Sequence, residues 1–162
     1  MRNDTVLAAL LGLGHIVSED SVRRALKAAD EQELNAWLAR HEKDVFDKLL
    51  EHQYVLDIDN TVRPIFGHQE GAQTGYNPQK PGRPSHNFHS YFIGSIRISL
   101  GVDVQSGKRH SGSCSMPRLW EIIDNLSDEK KPRLLRGDVG YGGDENMCEA
   151  ERRDLKYLFK LR

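Results

Sequence analysis

Cysteine is almost absent from this 162-residue chain. Cys114 and Cys148 stand far apart, with none of the close spacings that ligate zinc, and read as reduced thiols. A long apolar run is missing as well. The stretch Val6–Leu13 is short and interrupted by Gly12, too little to span a bilayer, and no secretory leader is visible. Charge of one sign is not in excess either, since 23 Lys and Arg face 24 Asp and Glu, net −1. That balance argues against a uniformly basic nucleic-acid binder. No internal repeat or low-complexity tract occurs. The expectation is a soluble, cytoplasmic protein with no membrane partner, built as one domain with a small appendage. Its length suffices for a proper core without disulfide or metal staples.

The charges are unevenly spread. Residues 1–59 carry 7 basic and 12 acidic side chains, residues 60–120 carry 7 basic and only Glu70 and Asp103, and residues 121–162 carry 9 and 10. The middle third is therefore locally basic, and a patch of this kind attracts phosphates within a screening length of about 8–10 Å. An ordinary solvated surface has the same composition.

Residues 1–52 read as helical. Val22, Ala25, Leu26 and Ala29 repeat at helical spacing, with Ser18 as N-cap and Glu19 and Asp20 in the favourable first turn. A second helix is expected from Asp30, with Glu33 at capping-box spacing. Trp37 and Trp120 fall on apolar helix faces and read as core residues. At Tyr54 the period changes. Tyr54–Val62 is a β-branched and apolar run, a strand, and Pro64–His86 is dense in Gly, Pro, Gln and Asn and reads as a long loop. Strands are expected over Phe88–Leu100 and Val102–Gln105, a helix over Ser115–Leu126, a short strand near Leu135, a helix after Asp144, and a last strand over Tyr157–Leu161. Antiparallel strands followed by strand–helix alternation predict an α/β fold. The prediction is a partial ribonuclease-H-like mixed sheet with flanking helices over residues 53–162, behind the helical segment of residues 1–52.

Asp57 and Asp59 lie two apart in one strand and so on one face of it. Two like charges that close call for compensation, and a hard cation such as Mg²⁺ prefers carboxylate oxygens. Asp138 follows the short strand near Leu135, between Gly137 and the Gly140-Tyr141-Gly142 turn. If the two strands are neighbours, Asp59 and Asp138 can share a metal site. Taken singly, each is equally well a turn residue. His86 and His89 have a spacing of three, which in a strand sends them to opposite faces.

The segments "YVLDIDNTV", "GHQEGAQTGYNPQKPGRPSH", "MPRLWEIIDNL", "LLRGDVGYG" and "YLFKLR" occur in this order. Together they resemble the DDE transposases of bacterial insertion sequences, in the group whose second aspartate sits in an Arg-Gly-Asp segment. The likeness covers roughly Leu11 to Arg162. It implies a ribonuclease-H-like fold and Mg²⁺ or Mn²⁺ held by two aspartates and a glutamate. The implied activity is DNA cleavage at transposon ends and joining to target DNA. The Asp-x-Thr triplet Asp59-Asn60-Thr61 puts the first role on Asp59 and the Gly-Asp segment puts the second on Asp138. Lys80, Arg83, Arg97 and Lys108 are candidate DNA-binding residues by charge and position. The family's glutamate lies on a helix beyond the last strand here, and Glu145, Glu149 and Glu151 are on the wrong element to replace it. The chain is thus expected to be truncated at both ends and inactive alone, with DNA and the full-length transposase as partners.

Two other readings stay open. "VLDIDNTV" also resembles the first motif of haloacid-dehalogenase-type phosphatases, with Asp57 as nucleophile and Asp59 as general acid/base. The long loop and the β-rich sequence after it do not fit that family's regular alternation. The third reading is a non-catalytic protein that binds DNA or transposase and inhibits it.

Overall fold

The computed structural model describes residues 5–10, 12, 14–50, 53–109 and 111–161. The expected helical segment thus begins and ends on residues outside the described set, as does Arg162 of the closing motif. The chain divides into two compact units, Met1–Val45 and Phe46–Arg162.

In the first unit, helix α1 covers Thr5–Leu10, α2 covers Glu19–Ala28, and α3 starts at Glu31 and runs to Leu49. The Ser18 hydroxyl accepts the Ser21 N–H at 3.2 Å, and Glu19 and Asp20 fill the first turn of α2. Asp30 caps α3 by accepting the Glu33 N–H at 3.0 Å. Each cap satisfies a donor that the helix itself leaves unpaired. Trp37 departs from the core position expected for it: it is 49% exposed and its ring lies 4.1 Å from that of His41. Helical spacing assigned it to an apolar side but could not say what that side meets.

The second unit is a six-stranded sheet. Strand β1 spans Val55–Pro64, β2 Gln73–Thr74, β3 Pro84–Ile93, β4 Ile98–Ser106, β5 Leu134–Gly137 and β6 Lys156–Phe159. β3 lies antiparallel between β1 and β4, and β2 pairs with its first residues. β5 is parallel to β1 and β6 is parallel to β5. Parallel neighbours need crossovers, and two helices make them: α4 (Ser111–Asp124) before β5 and α5 (Asp144–Arg152) before β6. The order β4–β3–β1–β5–β6 is the ribonuclease-H-like arrangement expected from the sequence.

Alternation sorts the strands into two faces. Leu56, Ile58, Tyr91, Ile93 and Leu135 point to the buried face, where Met116, Leu119, Trp120 and Ile123 of α4 and Ala150 of α5 complete the core. Phe46 and Leu50 join it at the end of α3. Trp120 is a core residue, as expected. The opposite face carries Asp57, Asp59 and Thr61 of β1, with Val102 and Val104 of β4 and Leu158 of β6 exposed on it. No helix among the described residues is long and apolar enough to cross a membrane.

Two elements differ from expectation. The loop assigned to Pro64–His86 is bounded by strand at both ends and contains β2. Buried Asn77 organises its middle by accepting the Gln79 and Lys80 N–H groups at 3.2 and 3.0 Å. Gly75 packs so tightly on the turn after β4 that a Cβ there would sit 1.9 Å from the Gly107 carbonyl oxygen. Polar composition concealed this, because the loop is held by backbone contacts rather than by apolar side chains. Helix α4 starts four residues before the expected Ser115 and carries Pro117 within it.

The two faces make a direct stability prediction. Leu135→Ala, at a fully buried position, should cost about 2–5 kcal/mol in urea unfolding. Leu158→Ala, at a position 60% exposed on the other face, should change stability by less than about 0.5 kcal/mol.

Candidate metal centre and nucleic-acid interface

β1 and β5 pair in parallel from Val55–Leu134 to Ile58–Gly137 without a shift. Asp59 and Asp138 are the next residues of the two strands past the last pair, Ile58 and Gly137, and Asp138 has already left β5. Both residues are exposed. They stand where β5 ends, the carboxyl end of a parallel pair, where open α/β sheets commonly bind ligands. Gly137 makes the turn there possible: a Cβ on it would lie 2.9 Å from the Tyr141 ring, which packs over the strand end. Asp138 then accepts the Gly140 N–H at 2.9 Å through one carboxylate oxygen, which orders the turn.

Asp57 shares the face of Asp59 but is already engaged. Arg136 stands directly opposite it in the register and holds it by two bonds, Nε to Oδ1 at 2.5 Å and Nη2 to Oδ2 at 2.8 Å. The carboxylate in turn pushes the Arg136 guanidinium above its ordinary range. The compensation that the close aspartates called for is thus supplied for Asp57 by an arginine. The case for a cation rests on Asp59 and Asp138. Among the described residues no group of three metal-ligating side chains occurs. Glu149 binds Arg152 at 2.7 Å and also Arg153, and Glu151 accepts the Tyr157 hydroxyl at 2.8 Å. Two carboxylates still suit a hard cation such as Mg²⁺, which is usually bound by one or two of them and keeps several waters.

Behind the pair, on the buried face, lie two titratable rings. Burial pushes the Tyr141 phenol up, and the charges of Asp138 and Asp59 act in the same direction. His89 is completely buried and neither ring nitrogen has a hydrogen-bond partner. Burial holds its imidazole below the ordinary 6.5, against the opposing pull of Asp103 and Asp59. His86 faces the other way and meets the Glu70 carbonyl at 3.0 Å. The two histidines therefore do not share a ligand, as their spacing predicted.

The candidate DNA-binding cations do not form one cluster. Lys80 and Arg83 lie in the segment entering β3, and Lys108 lies just past β4, at the same end of that hairpin. Arg97 is on the turn at its other end, with φ of 56°. All four are exposed, and Arg83 sits 4.5 Å over the Phe66 ring. A groove of about 720 Å³ opens next to Asp138, where β1 continues beyond the end of β5. Arg109, Asn87 and the 80% exposed Tyr76 also line it. Sequence reasoning did not select these three, nor Arg136. Charge was the available signal for the arginines, and nothing local distinguished Tyr76 or Asn87.

Over residues 1–162 the sequence matches the family model described as transposase DDE domain, group 1. No curated protein matches it. Among solved structures it is similar to the piggyBac transposase synaptic complex with hairpin DNA, at TM-score 0.50 and 11% identity, over 90% of this chain and 30% of that one. It is also similar to the Mos1 transposase paired-end complex with left transposon end, at TM-score 0.44 and 11% identity, over 98% and 54%. The Mos1 mariner paired end complex with Mn gives TM-score 0.44 and 12% identity over the same shares. At 11% identity the likeness to the piggyBac structure is one of fold. The chain spans less than two thirds of the length of each of these structures.

His89 generates a prediction about pH. Its folded pKa is depressed, so below pH 6.5 the unfolded chain takes up a proton that the folded chain resists. Its contribution is intact above 6.5 and is lost as pH falls below that value. Urea midpoints should drop between roughly pH 7.5 and roughly pH 5, and His89→Gln should shrink the drop. An equal drop in the variant would assign the effect to other groups.

Proposed function

The chain belongs to the transposase DDE domain family, group 1, and on that premise we propose that it supplies the two-aspartate part of a metal-dependent centre for DNA strand cleavage and transfer in transposition. The supporting observation is the unshifted parallel register of β1 and β5, which ends at Ile58 and Gly137, each one residue before Asp59 and Asp138. In this reading the two carboxylates hold Mg²⁺ or Mn²⁺. Such a cation, when bound, stabilises charge on the phosphodiester and activates the attacking hydroxyl. The remaining roles belong to the protein. Asp59, within β1, and Asp138, just past the end of β5, orient the reacting centre, and Lys80, Arg83 and Lys108 contact DNA phosphates. Phosphate contacts position the duplex without reading its sequence. Arg97, at the far end of the hairpin, meets a more distant part of the same DNA. The partners are transposon-end and target DNA, together with the full-length transposase.

Among the described residues no group of three metal-ligating side chains occurs, and Glu149 and Glu151 are engaged on α5. We infer that this chain does not cleave DNA by itself. The phosphatase reading is weakened by Arg136, because both oxygens of the Asp57 carboxylate are taken by its guanidinium. A nucleophile needs one of them directed at phosphorus.

Calorimetry with Mn²⁺ tests the centre. Binding heat is expected for the wild-type chain and should vanish in Asp59→Asn and in Asp138→Asn. A folded wild-type chain that takes up no Mn²⁺ sinks the reading. Gel shifts with duplex DNA across a salt series test the interface. Lys80→Ala and Lys108→Ala should each lower the slope of log affinity against log salt by about 1, whatever the DNA sequence. Unchanged slopes would remove these residues from the interface.

A further inference from the structure

Two residues of the groove beside Asp138, Tyr76 and Arg109, have no part in the centre proposed above. Tyr76 is 80% exposed, yet its backbone is fixed on both sides. Gly75 is pressed against the Gly107 carbonyl, and Asn77 is buried and accepts the Gln79 and Lys80 N–H groups. A tyrosine held in this way offers a large contact surface with little freedom left to lose on binding. Arg109 is anchored too. Its N–H donates to the Ser106 carbonyl at 3.1 Å, and its own carbonyl accepts the Asn87 Nδ2 at 3.1 Å. The turn before it is tied to the long loop and to β3: the Ser106 hydroxyl donates to Gln73 Oε1 at 2.9 Å, and the Gly107 N–H to the Ser85 carbonyl at 2.8 Å. Asn87 also lines the groove. It is 3% exposed, and its Oδ1 has no hydrogen-bond partner. A buried acceptor without a donor is costly, and a ligand that brings an N–H group removes that cost.

From this arrangement we propose that the groove takes one unpaired nucleotide of a DNA strand, with its base stacked on Tyr76 and its phosphate on Arg109. The inference rests on the DNA reading above, though not on a bound cation. The volume of about 720 Å³ falls within the roughly 300–1,000 Å³ of pockets that enclose small ligands. It suits one nucleotide and not a duplex, so a base reaches it only by leaving the stack. Aromatic rings set among cations bind single strands, because every base has a π face. Here Lys108 directly precedes Arg109, and Lys80 lies shortly after Tyr76. The groove is lined by two charged residues, Arg109 and Asp138. Arg109 attracts a phosphate and Asp138 repels it, which fixes the end of the nucleotide that each one meets.

The test uses the full chain, fluorescence anisotropy, and two probes: a labelled single-stranded oligothymidylate and a duplex of the same length. EDTA is present throughout, so no cation centre contributes. Tyr76→Ala should weaken single-strand binding by roughly tenfold and leave duplex binding and the salt slope unchanged. Tyr76→Phe, which keeps the ring, should bind the single strand like the wild type. Arg109→Ala should lower the single-strand slope of log affinity against log salt by about 0.7. Wild-type affinity in Tyr76→Ala would overturn the proposal. So would an equal loss on both probes, which would make Tyr76 a duplex contact. Should Tyr76→Ala fail to fold, photocrosslinking of the wild-type chain to an oligonucleotide carrying 5-iodouracil replaces it. Mass spectrometry should then find the adduct on the peptide that contains Tyr76, and adducts confined to other peptides would overturn the proposal. If the chain binds neither probe, the DNA reading fails and this inference with it. If it binds the duplex while the Tyr76 variants leave single-strand binding unchanged, only this inference fails.

Discussion

Four residue pairs of parallel ladder between β1 and β5 determine where every charged group of the site stands. Parallel pairing leaves no freedom once the register is chosen. A slip of one residue would turn Asp57 and Asp59 toward the core and Leu56 and Ile58 toward solvent. The core prevents this, because Leu56, Ile58 and Leu135 fill the layer beneath α4 and α5. Apolar packing on one face therefore aligns the carboxylates on the other. The Asp57–Arg136 pair results from that alignment, and Asp59 and Asp138 each follow its last pair by one residue.

The two faces perform different tasks with little overlap. The inner face is dense and apolar except for a polar strip on β3, where Ser85, Asn87 and His89 are all buried. His89 and Tyr141 lie under the carboxylates and feel their charge through the sheet. Neither ring is free to gain or lose a proton at neutral pH, because burial disfavours the charged form of each. The outer face keeps its ionised groups in water, where they remain available to a cation or a phosphate. The groove beside Asp138 lies at the boundary, where β5 stops and β1 continues.

Local signals are legible in the sequence, and distant partnerships are not. Ser18 and Asp30 cap helices as expected because capping depends on residues only three apart. Strand β1 is visible from its β-branched run. That β1 and β5 are neighbours was a condition the sequence left open, and the sheet order meets it. The Arg136–Asp57 pair escaped notice because it joins residues 79 apart in the chain. The order within the Gly-rich loop was hidden for a different reason. It rests on Asn77 hydrogen bonds and on the close approach of Gly75 to Gly107, neither of which produces apolar periodicity. Trp37 misled because amphipathic spacing names a face without naming what covers it.

The separation between β1 and β5 also has a consequence in time. The β3–β4 hairpin joins residues close in the chain, and loops of that size close quickly. Pairing β1 with β5 must first bring together segments separated by the whole hairpin and α4, a closure whose entropy is paid before any contact returns it. β1 can pair with β3 and be covered by α4 before β5 has emerged, but its ladder with β5 must wait. The acidic corner is thus among the last features of the sheet to exist. A nascent or partly unfolded chain carries all of its aspartates and none of their arrangement, since the strands that place them are not yet paired.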